Sequence, residues 1–122
     1  MVRGYNDGFA FCYKIPEGEG ECVNVQSELT AYNFAGDYTA WFYNGENHNI
    51  GPEKLTETDG TRLPVMTVKA GDRHYMAIHE AAWKQEHLLS YNPKGGESLF
   101  SVASKPADLS PGYTSAWRVV LY

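Results

Sequence analysis

Glu80 is the residue whose position most strongly suggests chemistry. It ends a segment that alternates, so that Glu80 continues the side formed by Met76 and Ile78. A carboxylate there lies at the rim of a core, where an unpaired charge is costly. We therefore expect a cationic partner, either an Arg side chain or a metal ion. The residues alone favour a salt bridge or a solvated strand end, because one carboxylate does not make a calcium site.

The histidines and the usual catalytic motifs add no second site. His79 and Glu80 start like the zinc helix motif His-Glu-x-x-His, but position 83 is Trp83, so the second His ligand is missing. The other histidines, His48, His74 and His87, show no ligand spacing. The sequence has no Gly-x-Ser-x-Gly motif, and residues 93–96 lack the Gly-Lys-Ser/Thr order of a phosphate loop. These residues therefore indicate no zinc site, nucleophile motif or phosphate loop.

Aromatic residues are the other candidates for binding. Trp41 and Tyr43, together with Trp83, are able to stack on sugar rings, but packing in a core explains such residues equally well and is favoured. The acidic run Glu17, Glu19 and Glu21, with glycines between, predicts a solvated turn rather than a metal loop.

Two cysteines, Cys12 and Cys22, flank a turn predicted at residues 16–20. If that turn closes a hairpin, the two thiols face one another and are able to form a disulfide. Free thiols are the other outcome, and the redox compartment decides between them.

The elements that position these residues are predicted to be strands. Turn signals recur about every eight to twelve residues, which is typical of an antiparallel, all-β sandwich. The predicted strands are residues 9–15, 22–34 (with a bulge or a change of face), 38–43, 64–68, 74–80, 99–103 and 116–122. Residues 45–60, 92–97 and 106–112 are predicted to be connections. Residues 81–89 fit a short helix or a turn equally well.

Length and charge exclude several classes of protein. With 122 residues the chain holds one domain at most. A net charge of −5 opposes binding to nucleic acid, which needs a basic face. No apolar run approaches the roughly 20 residues of a membrane span. Residues 1–7 lack the apolar core of a signal peptide.

Four segments carry a resemblance to a known family. They are residues 3–13 (RGYNDGFAFCY), 34–41 (FAGDYTAW), 75–82 (YMAIHEAA) and 116–119 (AWRV). In this order they resemble the N-terminal domain of glycoside hydrolase family 97, a galactose-mutarotase-like β-super-sandwich. Cys12 stands where that family usually has Arg, and Ala116 replaces the Pro usual before Trp117. The resemblance also implies that residues 74–80 form a strand and that residues 81–84 form the turn after it.

The resemblance implies a role for Glu80. Family members include α-glucosidases and α-galactosidases of Bacteroidetes, which hold a calcium ion in the active site of a catalytic barrel. One Glu ligand of that ion comes from the N-terminal domain, and Glu80 is the residue that matches it. The partners implied are the barrel of the same enzyme and an α-linked oligosaccharide, and the place of action is periplasmic or extracellular.

The same resemblance limits what this chain does alone. Hydrolysis of glycosides needs two carboxyl groups across the bond, and in this family the barrel supplies them. Residues 1–122 match the later half of the family's sandwich, so we expect a partial domain with an uncovered sheet edge and a tendency to self-associate. The alternatives are a carbohydrate-binding sandwich that acts alone through Trp41, Tyr43 or Trp83, and an inactive truncated fragment.

Overall fold

The computed structural model describes residues 1–43, 49–81, 90–103 and 105–122. Within these ranges the chain is built almost wholly of β-strands, with one short 3-10 helix, Leu55–Glu57. The strands are β1 Val2–Tyr5, β2 Gly8–Phe11, β3 Val23–Val25, β4 Ala31–Asn33, β5 Thr39–Tyr43, β6 Asn49–Lys54, β7 Leu63–Lys69, β8 Tyr75–Glu80, β9 Tyr91–Pro93, β10 Leu99–Val102, β11 Ala107–Leu109 and β12 Arg118–Leu121.

The strands form one large sheet and two small ones. The large sheet has seven strands in the order β1-β2-β12-β8-β7-β5-β6. A three-stranded sheet has the order β4-β10-β9, and β11 pairs with β3. Every pairing between these strands is antiparallel. The predicted antiparallel, all-β sandwich is therefore confirmed.

The core lies between the seven-stranded and three-stranded sheets. One face of the large sheet contributes Phe42, Met66, Val68 and Ile78, and the small sheet contributes the aromatic rings of Tyr91 and Phe100. Each of these side chains is almost fully buried. The Phe42 and Phe100 rings meet across the two sheets with their centroids 5.7 Å apart. Aromatic bulk from both layers thus fills the interior of a small sandwich.

The β1–β2 hairpin forms at the turn that the sequence predicts. Asn6 and Asp7 make the turn, and Tyr5 pairs with Gly8. A side chain at position 8 would overlap the Val120 carbonyl oxygen of the next strand, so the close packing of β2 on β12 needs glycine there. Strand β1 lies at an edge of the large sheet and all four of its residues are exposed. The expected self-association through an uncovered edge stays a prediction.

The long strand predicted over residues 22–34 is wrong. The chain instead forms two three-residue strands that belong to different sheets, because β3 pairs with β11 and β4 pairs with β10. Residues 26–30 between them are not in a strand. The imperfect alternation that suggested a bulge thus reflects a complete change of sheet.

The hairpin on which a disulfide depends does not form around residues 16–20. Both of its arms pair with the C-terminal region instead: Lys14 forms a bridge with Thr114, and Val23 pairs with Leu109. The cysteines are therefore not opposite one another. Cys12 is buried and Cys22 is exposed, and both are free thiols.

Three predicted connections contain regular structure. Residues 49–57, within the expected connection 45–60, form β6 and the 3-10 helix, while residues 44–48 lie outside the described residues. Strands β9 and β11 extend into the expected loops 92–97 and 106–112. These strands are short and carry Pro or polar residues, so alternation gives little signal. The helix-or-turn segment 81–89 lies outside the described residues from position 82 onward.

Candidate metal-ligand site

Glu80 lies at the end of β8, as predicted. The alternation is confirmed, because Ile78 is buried in the core, His79 is exposed and Glu80 is half-buried on the core side. The strand ladder extends one residue beyond it, since the Ala81 N–H donates to the Trp117 carbonyl oxygen over 2.8 Å. The Tyr91 hydroxyl donates to the Ile78 carbonyl oxygen over 2.9 Å from within the core. These bonds fix the backbone on both sides of Glu80.

Arg118 lies directly opposite Glu80 on the neighbouring strand β12. Residues opposite one another in an antiparallel pair share a face, so both side chains belong to the core side. Arg118 is only 5% exposed. It donates from Nη2 to the Glu28 carboxylate and from Nη1 to the Ala116 carbonyl oxygen, each over 2.6 Å. A buried guanidinium with two charge-assisted bonds is held in one orientation.

Two tyrosines border this charged cluster. The rings of Tyr32 and Tyr91 meet edge to face, 6.1 Å apart. Burial raises the pKa of Tyr32 to about 12, against the opposing effect of the Arg118 charge, and the carboxylates of Glu28 and Glu80 add to the rise. Burial likewise raises the pKa of Tyr91. Both hydroxyls therefore stay protonated at neutral pH.

The cluster fits a role as one part of a calcium site. The formal charges of Arg118, Glu28 and Glu80 sum to −1, which favours a cation beside them. Calcium takes six to eight oxygen ligands, as a rule. The part of the chain that the structure describes contains no group of three or more His, Cys, Asp or Glu side chains arranged to hold a metal ion. Glu80 is thus able to be one oxygen ligand of a site that other residues complete.

The aromatic residues considered for sugar stacking differ in how far they are exposed to solvent. Trp41 is half-buried on the face of the large sheet away from the core, with Gly51 against its indole ring. Tyr43 is exposed. Trp83 lies outside the described residues. Of the described residues, Trp41 and Glu80 lie on opposite faces of the large sheet.

Sequence reasoning missed the partners of Arg118. Glu28 lies 90 positions away, inside the segment 22–34 that the sequence predicts as one strand, and Tyr32 follows it. No local spacing signals such a pair. The only available hint is a charged residue inside an otherwise apolar strand, which needs a partner when it is buried. The acidic residues 17, 19 and 21 are exposed, as predicted.

Comparison with known proteins decides the family. The domain family described as Glycosyl-hydrolase 97 N-terminal matches residues 1–122, the whole of the chain. The chain belongs to this family. No curated protein has a sequence that matches it. The recognition made from the four sequence segments is confirmed.

Solved structures show the same fold in much longer chains. A glycoside hydrolase family 97 enzyme from Pseudoalteromonas sp. strain K8, in complex with acarbose, matches with a TM-score of 0.76 and 22% identity, over 96% of this chain and 20% of that one. A beta-arabinopyranosidase matches with a TM-score of 0.80 and 14% identity, over 98% of this chain and 24% of that one. The family 97 chain described here thus spans between a fifth and a quarter of the length of these relatives. No helix in its described residues is long and apolar enough to cross a membrane.

Proposed function

We propose that this family 97 domain supports the active site of a larger α-glycoside hydrolase and donates Glu80 as one ligand to a calcium ion there. The observation that carries the proposal is the position of Glu80: a half-buried carboxylate at a strand end, beside a fixed Arg118–Glu28 pair. The remaining calcium ligands and the catalytic carboxyl groups come from the catalytic barrel of the same enzyme. The calcium, when bound, polarises the scissile glycoside.

The rigidity of the strand end suits a shared metal site. A ligand carried by a strand whose neighbours are fixed by backbone bonds loses little freedom when the metal binds. A calcium ion bridging two domains also holds their interface together, because its ligands come from both. We infer that the substrate is an α-linked glucoside or galactoside and that the enzyme acts in the periplasm or outside the cell, as in the relatives the sequence resembles.

The test compares two substitutions in the full-length enzyme. Glu80→Gln removes one charged oxygen ligand, and Glu53→Gln is the matched control, because Glu53 is also a half-buried carboxylate within the large sheet, paired with Arg62 over 3.2 Å. We expect Glu80→Gln to weaken calcium binding about 100-fold, since even indirect supports of a metal site are worth about 10- to 100-fold. Glu53→Gln is expected to leave it unchanged.

Isothermal titration with calcium measures both variants, with hydrolysis of an α-glucoside as the second readout. Equal calcium affinity in Glu80→Gln and the unsubstituted enzyme would rule out the proposed ligand. A further check uses the 122-residue chain alone, for which we expect no sub-micromolar calcium site because too few oxygen ligands are present. Tight binding there, lost in Glu80→Gln, contradicts a site shared with the barrel.

A further inference from the structure

Glu28 enters the cluster of Arg118 and Glu80 from the segment that joins β3 to β4. Residues 26–30 of this segment are not in a strand. Leu29 is 90% exposed, whereas the side chain of Glu28 is only 18% exposed. The exposure of these two neighbours is the reverse of what their polarity predicts, because burial of a carboxylate is costly. The inward direction of Glu28 therefore needs a specific partner.

The backbone after Glu28 is anchored by bonds that do not involve this partner. The hydroxyl groups of Thr30 and Tyr13 share a hydrogen bond over 2.7 Å. The Val102 N–H on β10 donates to the Thr30 carbonyl oxygen over 2.9 Å, and Thr30 is buried. These bonds hold the segment against the small sheet. The fold therefore brings Glu28 to Arg118, and the attraction between their charges is not the only cause of the contact.

The Arg118 guanidinium is bonded to Glu28 although Glu80 is its cross-strand neighbour. Arg118 and Glu80 are directly opposite one another on β12 and β8, and side chains placed in this way are close enough to interact. The two terminal nitrogens of Arg118 nevertheless donate to the Glu28 carboxylate and to the Ala116 carbonyl oxygen, each over 2.6 Å. Its Nε has no hydrogen-bond partner among the described residues. Glu28 thus supplies the charged acceptor that Glu80 is also placed to supply.

Three charges meet at this point and act on one another. Burial raises the pKa of Tyr32 to about 12, and the charges of Arg118, Glu28 and Glu80 all act on the same hydroxyl. Charges that are shielded from water interact more strongly than charges in water. With Glu28 bonded to it, the Arg118 charge is compensated. Glu80 then provides the second carboxylate of a cluster that holds only one cation.

An uncompensated Arg118 would oppose calcium binding by Glu80 in two ways. It would attract the Glu80 carboxylate into an ion pair of its own. Its positive charge would also repel a divalent cation bound to the same carboxylate. Stability alone does not account for the Arg118–Glu28 pair, because a buried ion pair is often no more stable than apolar residues of similar volume.

We propose that Glu28 is a positioning residue for the calcium ligand: it neutralises Arg118 and so leaves the Glu80 carboxylate available to the metal ion. Glu28 acts through Arg118 and, in this role, contacts neither the calcium ion nor the substrate. The inference rests on the proposed function of Glu80. It adds that calcium affinity depends on a charge outside the set of ligands.

Isothermal titration of the full-length enzyme with calcium tests this role. Glu28→Gln keeps the shape of the side chain and removes its charge. We expect calcium to bind about tenfold more weakly, the low end of the effect of indirect supports of a metal site. Glu28→Asp keeps the charge and is expected to stay within about threefold of the unsubstituted enzyme, since the Coulomb attraction to Arg118 is retained.

Glu53→Gln is the matched control for Glu28→Gln. It also breaks a half-buried pair, since the side chains of Arg62 and Glu53 are 12% and 21% exposed, against 6% and 18% for Arg118 and Glu28. Glu53 lies on β6, at the opposite edge of the large sheet from β1 and three strands away from β8. We expect its substitution to leave calcium affinity unchanged.

Two variants of Arg118 separate charge from structure. Arg118→Met removes the competing cation and leaves both carboxylates, so calcium is expected to bind at least as tightly as in the unsubstituted enzyme. The double variant Glu28→Gln with Arg118→Met is expected to return to within about threefold of the unsubstituted affinity. A merely structural role predicts the reverse, because each substitution disturbs the same buried pair and the loss of affinity would persist or grow.

The outcomes distinguish this inference from the proposed function. Equal calcium affinity in Glu28→Gln and Glu53→Gln, together with weak binding in Glu80→Gln, overturns the role of Glu28 alone. Weak binding in Glu28→Gln without recovery in the double variant also overturns it. Unchanged affinity in Glu80→Gln overturns the ligand role and this inference together.

Discussion

The buried ion pair between Arg118 and Glu28 makes the sharpest prediction about stability. The two side chains are 6% and 18% exposed, and Nη2 lies 2.6 Å from Oε1. Glu28→Gln keeps the shape and an acceptor oxygen but removes the charge. Arg118 then loses its charged hydrogen-bond acceptor, and its Nε already has no hydrogen-bond partner among the described residues. The Glu80 carboxylate, opposite Arg118 on β8, remains in the cluster. The substitution therefore tests how much the fold depends on this pair.

The expected loss follows from the burial of both groups. Removing one partner of a buried pair costs about 3–5 kcal/mol, because the remaining charge is uncompensated. Glutamine still accepts a neutral hydrogen bond, Glu28 is partly open to solvent and the Glu80 carboxylate lies opposite Arg118. We therefore expect a loss somewhat below that range, about 2–3 kcal/mol. A domain of this size has a free energy of unfolding of about 6–18 kcal/mol. The variant thus loses a large fraction of its stability, and its melting temperature falls by about 8–10 °C.

Urea unfolding followed by tryptophan fluorescence measures this loss. Glu97→Gln is the control, because Glu97 pairs with Lys94 over 3.2 Å while both side chains are more than half exposed. An exposed pair contributes less than about 1 kcal/mol, so this control is expected to be close to the unsubstituted chain. The double variant Glu28→Gln with Arg118→Met removes the buried cation as well and is expected to recover part of the loss. If Glu28→Gln unfolds at the same urea concentration as the control, the reasoning is refuted.

Three further predictions concern individual side chains. The Tyr32 hydroxyl is buried without a hydrogen-bond partner among the described residues. Tyr32→Phe is therefore expected to leave the free energy of unfolding at pH 7 unchanged or slightly higher. A clear loss of stability in urea unfolding contradicts this prediction. Because burial raises the pKa of Tyr32 from 10.0 to about 12, the folded chain keeps a proton that the unfolded chain releases. Stability should therefore fall as pH rises from 10 to 12, and less steeply in Tyr32→Phe. Thiol titration should show rapid reaction of Cys22 and slow reaction of buried Cys12, whereas an intramolecular disulfide would show that the structure's free thiols are wrong. Calorimetric titration with maltooligosaccharides or galactosides should give no heat at millimolar sugar. The reason is that Trp41 is half-buried against Gly51 and Trp117 is covered by Arg3. Binding that is lost in Trp41→Ala would favour the independent carbohydrate-binding module.

The sequence was sufficient where the signal is local. Strands β5, β7, β8, β10 and β12 follow from alternation and β-favouring residues, and the half-buried position of Glu80 follows from its place after Ile78. Strands β3, β9 and β11 have only three residues each, too few for a periodicity to show. Their pairing partners lie far along the chain, as with Val23 and Leu109. Register of this kind depends on tertiary packing that one sequence does not reveal.

The candidate site contains one residue that the sequence identifies and others that only the fold brings together. A Glu that continues an apolar side is visible in the sequence, and its resemblance to a family ligand is the basis of the proposed role. The groups around it are visible only in the fold, because Arg118 comes from the last strand and Glu28 from an irregular segment. Once assembled, the two carboxylates and one guanidinium leave a net negative charge at a strand end. A domain that needed Glu80 only for its own salt bridge would be balanced by one Arg. The second carboxylate of this cluster supports the proposal that Glu80 binds a further cation.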